Sequence, residues 1–152
     1  MEVRVIKEGA HKKAILCVAW FYNKFFTGSQ DTTIKVWDME RLECESELVG
    51  HPAAVPCVEA CNRCVFSASL DGTIIGWNWN SGMKQMGPPF ETMVPICSLV
   101  WDRSQQLLFA CGKDMVFAFS IASDGKGLVQ TQAWNPQIKL HKDFITCLAV
   151  SK

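Results

Sequence analysis

An all-β fold built from repeated four-stranded antiparallel sheets is what this sequence predicts, and three observations carry the prediction. An apolar triplet, spaced by three and then two residues, occurs four times: Ile15, Val18, Trp20; Val55, Val58, Ala60; Ile96, Leu99, Trp101; and Ile145, Leu148, Val150. The recurrences lie 40, 41 and 49 residues apart, the period of a supersecondary unit rather than of a lone strand. Gly, Asn, Asp and Pro punctuate the chain at short intervals, and no window sustains helical periodicity.

Composition narrows the classes of function. The 152 residues are 49% apolar and 20% charged, enough to bury a core and unlike a disordered chain. Fifteen basic side chains balance fifteen acidic ones, so no net field calls for nucleic acid or an anionic membrane as partner. No apolar run has signal-peptide length, and none approaches the roughly 20 residues of a spanning helix. The expected location is intracellular, cytoplasmic or nuclear. The eight cysteines are therefore expected to be reduced core residues.

The elements follow in order, with the strands of each unit labelled a to d. A d-like strand over Glu2 to Lys7 opens the chain. Each apolar triplet then marks a strand a. After it, Phe25-Phe26-Thr27-Gly28-Ser29-Gln30-Asp31 leads into Thr32-Thr33-Ile34-Lys35-Val36-Trp37-Asp38. The second unit repeats this as Val65 to Asp71 and Gly72 to Asn78, and the third as Leu107 to Asp114 and Met115 to Phe119. Each pair reads as strands b and c around a tight turn that carries Asp. Strand d is Leu42 to Leu48, then Met83 to Met86, then Leu128 to Trp134 after a turn at Ser123-Asp124-Gly125-Lys126-Gly127. The long third spacing is absorbed in that connection. A lone strand a over Phe144 to Val150 ends the chain. Gly87-Pro88-Pro89-Phe90 is expected to be a rigid connector between units.

Two units carry a fuller signature. His11, Ser29, Asp31, Trp37 and Asp38 in the first match Gly50-His51, Ser69, Asp71 and Trp77 in the second, with Asn78 at the final Asp position. Trp stands six residues after the turn Asp in both. In the third unit Thr92 replaces the His, Gly112 the Ser and Phe119 the Trp, leaving Asp114 alone; the fourth shows only His141 and strand a. This pattern resembles the WD-repeat β-propeller family, over nearly the whole chain. The resemblance implies three complete four-stranded blades at about 11–48, 51–90 and 92–140, with strand a of a further blade within 141–152. It also implies a structural tetrad, His11, Ser29, Asp31, Trp37 and His51, Ser69, Asp71, Trp77, in which imidazole, hydroxyl, carboxylate and indole form one hydrogen-bonded chain. His11, Ser29 and Asp31 have the residue types of a hydrolase triad, but their recurrence 40 residues later makes them blade-building parts. No catalytic residue and no cofactor is expected. The third blade, which lacks the network, is expected to be the softest.

Cys61-Asn62-Arg63-Cys64 is a C-x-x-C with Cys57 before it, but no second pair follows at zinc-site spacing, so no metal site is expected. Cys17, Cys57 and Cys147 occupy one repeat position and are expected to be spread around the ring. Cys61 and Cys64 flank a two-residue turn and are placed to face each other across a hairpin, as structural cysteines or a redox-sensitive pair.

Closed propellers need about 4 to 8 blades. Three blades leave apolar flanks open, so the chain is read as part of a longer propeller, as a subunit that pairs with itself or another chain to complete a ring, or as an open arc. The function the resemblance implies is a non-catalytic scaffold for other proteins; a subunit that assembles through its flanks and a cysteine-based metal or redox protein are the alternatives. The family's binding rim maps here onto the b–c turns, Gln30, Thr32, Leu70, Gly72 and Lys113, and the loops before strand a, Lys12, Pro52 and Thr92.

Overall fold

The computed structural model describes residues 10–61, 64–123, 125, 127–134 and 145–150. The expected strand over Glu2 to Lys7, His141 and the turn residues Asn62, Arg63, Asp124 and Lys126 lie outside them.

Among the described residues, thirteen strands form three antiparallel sheets. The first comprises β1 (Ile15–Phe21), β2 (Lys24–Ser29), β3 (Thr33–Asp38) and β4 (Glu43–Val49), paired in chain order. The second comprises β5 (Cys57–Ala60), β6 (Cys64–Ala68), β7 (Thr73–Asn78), β8 (Lys84–Gln85) and β9 (Phe90–Glu91). The third comprises β10 (Ser98–Asp102), β11 (Leu107–Gly112), β12 (Met115–Ile121) and β13 (Leu128–Trp134). One 3-10 turn, Trp79–Ser81, is the sole helical element among the described residues. No helix there is long and apolar enough to cross a membrane.

The sheets stack face to face, with β1 beside β5 and β5 beside β10 on the inner side. Two apolar cores fill the two interfaces. Phe26, Ile34, Val36 and Leu48 of the first sheet meet Val58, Val65, Ile75 and Trp77 of the second. On the second sheet's other side, Phe66, Ala68, Ile74 and Met86 meet Leu99, Trp101, Leu108 and Phe119 of the third. The second sheet is thus buried on both faces, which is why β6 reads CVFSA without polar alternation.

The apolar triplets have a backbone role as well. The N–H of Val55 donates to the carbonyl of Ser29, Ile96 to Ser69, and Ile145 to Lys113, at 3.0, 3.2 and 2.7 Å. The first residue of the second, third and fourth triplets stitches its unit to the end of strand b in the unit before. Gly112 is required at the seam between β11 and the loop before β10 in the third sheet, since a Cβ there would stand 1.8 Å from the carbonyl oxygen of Pro95.

Two expectations about strands need correction. Residues 145–150 form no ladder: Ile145 and Leu148 spend their N–H groups on the Lys113 carbonyl and the Ser98 hydroxyl, and no described strand lies alongside to pair with. Gly87-Pro88-Pro89 does not connect two sheets. It interrupts the second sheet's outer strand, which resumes as β9 and pairs with β7 through Thr73↔Glu91 and Ile74↔Phe90. Proline supplies no N–H to a ladder, so the edge strand breaks where the prolines fall.

Candidate functional site

The b–c turns and the loops before each strand a share one edge of the stack. Gln30 N–H donates to Ala14, Leu70 to Ala54 and Thr92 to Gly72, all as backbone bonds near 2.9 Å. The turns reverse through left-handed residues, Thr32 at φ 75° and Gly72 at φ 89°, so glycine is the unstrained choice there.

Side chains then lock each turn. In the first sheet the imidazole of His11 lies between Asp31, with Nδ1 2.9 Å from Oδ2, and Thr27, with Nε2 2.7 Å from Oγ1. Trp37 donates its indole N–H to the same Thr27 hydroxyl at 2.9 Å. With a neutral imidazole the chain runs from indole to hydroxyl, hydroxyl to imidazole and imidazole to carboxylate. Asp31 also accepts from the Lys12 N–H at 2.8 Å and the Thr33 hydroxyl at 2.7 Å. Burial works against its charge, yet the bonds from Thr33, Lys12 and His11 hold its carboxyl well below the usual carboxylate range.

The second sheet repeats the chain with one extra link. His51 joins Ser67 at 2.8 Å and Thr73 at 2.9 Å, and Thr73 donates onward to Asp71 at 2.7 Å. Trp77 donates to Ser67 at 2.8 Å. Burial pushes the His51 imidazole below its ordinary pKa, with Asp71 opposing.

The hydroxyl of the network is therefore Thr27 or Ser67, and not Ser29 or Ser69. The correction is one of reach. Strand geometry puts Thr27 and Ser29 on one face, but β2 pairs Phe25 with Trp37, so the indole leans to the next same-face position and stops there. Ser29 and Ser69 serve the turns: each hydroxyl accepts from the N–H of its turn Asp at 3.0 and 3.3 Å, and Ser29 donates to Ala14. The triad-like grouping dissolves with this, since Ser29 does not bond His11. Thr27, which does, is 4% exposed and its hydroxyl is engaged by both neighbours.

At the c–d turns Asp38 accepts from Glu40 and Arg41 N–H groups at 2.8 and 2.9 Å. Asn78 accepts from Asn80 at 2.8 Å, so it fills the Asp position with the same bond. In the third sheet Phe119 stands at the Trp position and is held by stacking, edge-on against Phe90 at 4.8 Å. Thr92, at the His position, bonds the Gly72 and Val94 carbonyls at 2.7 and 2.9 Å.

Of the expected rim residues, Lys12, Gln30, Pro52, Leu70 and Lys113 are exposed and Thr32 is half-buried. Gly72 and Thr92 are buried because they bond to each other across the seam, so their side-chain positions offer a partner nothing. A recess of about 660 Å³ at the opposite edge, lined by Phe21, Tyr22, Asn23, Glu40 and Trp79, was not indicated by the repeats. Its residues come from turns that differ between units.

Among the described residues no three His, Cys, Asp or Glu side chains group closely enough to hold a metal ion. Cys57 lies within electrostatic reach of Cys17, Cys97 and Cys111, because inner strands of neighbouring sheets converge. Burial pushes Cys17 and Cys111 up to about 11, and their thiols donate to the Val55 and Ile145 carbonyls.

Three stacked antiparallel sheets, each of four strand positions with the second's outer strand broken in two, with inner strands side by side and turns locked at one edge, are blades of a β-propeller. The WD40 profile (WD domain, G-beta repeat) matches residues 3–38 and 42–78, and the chain belongs to the WD-repeat family. It is 34% identical over 88 residues to NACHT domain- and WD repeat-containing protein 1 of Mus musculus, covering 55% of this chain and 6% of that protein. It is 35% identical over 85 residues to nuclear distribution protein nudF 2 of Aspergillus clavatus, covering 51% and 20%. The structure of U3-55K superposes with a TM-score of 0.80 at 17% identity, over 95% of this chain and 44% of that one. The chain thus spans a small part of these curated relatives.

Proposed function

We propose that the chain is a non-catalytic, intracellular platform that holds other proteins on the edge carrying its b–c turns. The observation that supports this is the locked turn: His11 and His51 networks fix two successive turns while Lys12, Gln30, Pro52, Leu70 and Lys113 stand exposed beside them. Fixed backbone under exposed side chains lowers the ordering cost of binding. The test is affinity capture from cell extract with the native chain and with Lys12→Glu, Gln30→Ala, Leu70→Ser and Lys113→Glu combined. Loss of specific partners from a variant that melts normally supports the platform; retention of every partner refutes it.

One observation favours a second reading, assembly through an open flank. Val18 and Trp20 are 64% and 73% exposed, whereas Val58 and Ala60, their equivalents in the second blade, are 7% and 8% exposed against the first. The first blade's outer face has the chemistry of a blade interface, and another blade is the occupant it fits. Light scattering distinguishes this reading: a discrete dimer that Trp20→Lys converts to monomer supports it, and a stable native monomer excludes self-completion.

A further inference from the structure

The turn between β5 and β6 sets two cysteines against each other. Cys61 N–H donates to the Cys64 carbonyl at 2.9 Å, continuing the ladder beyond Ala60↔Val65. A hydrogen-bonded antiparallel pair spaces its Cα atoms by about 5.5 Å, inside the range a disulfide bridges without moving the backbone. The two sulfurs stand 3.0 Å apart.

Both residues are buried, at 3% and 1% exposure. They nonetheless line a cleft of about 690 Å³ between the second and third blades, together with Met86, Trp101, Gln105 and Ile121. The cleft gives a small reagent a route to the pair.

We propose that Cys61 and Cys64 form a reversible redox modification site, oxidised to an intra-hairpin disulfide by a low-molecular-weight disulfide such as oxidised glutathione. One cysteine, as its thiolate, attacks a sulfur of the reagent. A mixed disulfide forms and one small thiolate leaves. The second cysteine, deprotonated to solvent in the cleft, attacks the protein sulfur of that mixed disulfide and expels the second small thiolate. The protein gives up two electrons and two protons; the reagent disulfide becomes two thiols. Because the sulfurs are already adjacent, closure costs little chain entropy and outcompetes trapping of the mixed species. The product ties β5 to β6 at one wall of the cleft.

The experiment equilibrates the reduced native chain in glutathione buffers of rising oxidised fraction, quenches with acid, unfolds, alkylates and maps by mass spectrometry. The first oxidised species is expected to lack two of eight alkyl groups and to contain a Cys61–Cys64 link. It should form at an oxidised-to-reduced ratio roughly ten-fold or more below that for any other pair. With Cys61→Ser and Cys64→Ser tested separately, at least one variant should retain a glutathione adduct on the remaining cysteine. Full alkylation of both cysteines at every ratio that leaves the chain folded overturns the proposal, as does an earlier link between any other pair. Should the serine variants fail to fold, the native chain's map decides.

Discussion

Thr27 and Ser67 each carry two hydrogen bonds that nothing else in their blades can replace: one from an indole, one to an imidazole. Thr27→Val keeps the shape and removes both, stranding Trp37 and His11 in a buried setting. A loss of about 2 kcal/mol is expected, read from the urea midpoint, with Tm lowered by roughly 4–8 °C. A change below a few tenths of that would mean the network is ornamental. His51 adds a pH dependence. Its pKa is depressed in the folded chain below the ordinary 6.5, so below that pH the unfolded chain takes up a proton the folded one resists. Stability should therefore be flat above about pH 6.5 and fall as pH drops through it. Unfolding at pH 5.5 and 7.5 measures this, and His51→Gln should flatten the difference. The residue scale is also where sequence reading slips: residue types and their recurrence were visible, but which of two same-face hydroxyls meets the indole depends on cross-strand register, and no spacing reveals that.

At the scale of the element, order and boundaries were largely legible. Leu128 to Trp134 was expected as an outer strand and is β13; Leu42 to Leu48 differs from β4 by one residue at each end. Such segments announce themselves through β-branched and apolar residues bounded by turn formers. The recurring irregularities did not. In both the first and third blades the outer ladder shifts register opposite the Trp position, between Val36 and Trp37 and between Ala118 and Phe119. That is a β-bulge, whose extra residue leaves no mark in composition. Gly112 was noted only as a missing Ser, yet it is where β11 and the loop before β10 touch backbone to backbone within the third blade. Gly112→Ala should cost about 2–3 kcal/mol, because the Pro95 carbonyl must move to admit a methyl group. Circular dichroism melts would show it; an unchanged melt would mean the seam is looser than 1.8 Å implies.

For the molecule as a whole, stability should be graded by how many faces each blade buries. The second blade is covered on both sides, the first exposes Val18 and Trp20, and the third lacks the tetrad. Hydrogen exchange read by mass spectrometry should find the slowest amides in β6 and β7, with β4 and β13 faster. Slowest exchange in the third blade would show that Phe119 packing outweighs burial on two sides.

The broken outer strand has a consequence for how this molecule meets its own copies. An uninterrupted edge is a template on which a foreign strand can grow, and stacked apolar sheets give such growth every other ingredient. Pro88 and Pro89 withhold donors from the middle of that border, leaving two-residue stubs on either side. The most deeply packed blade is thereby the one least able to seed a fibril.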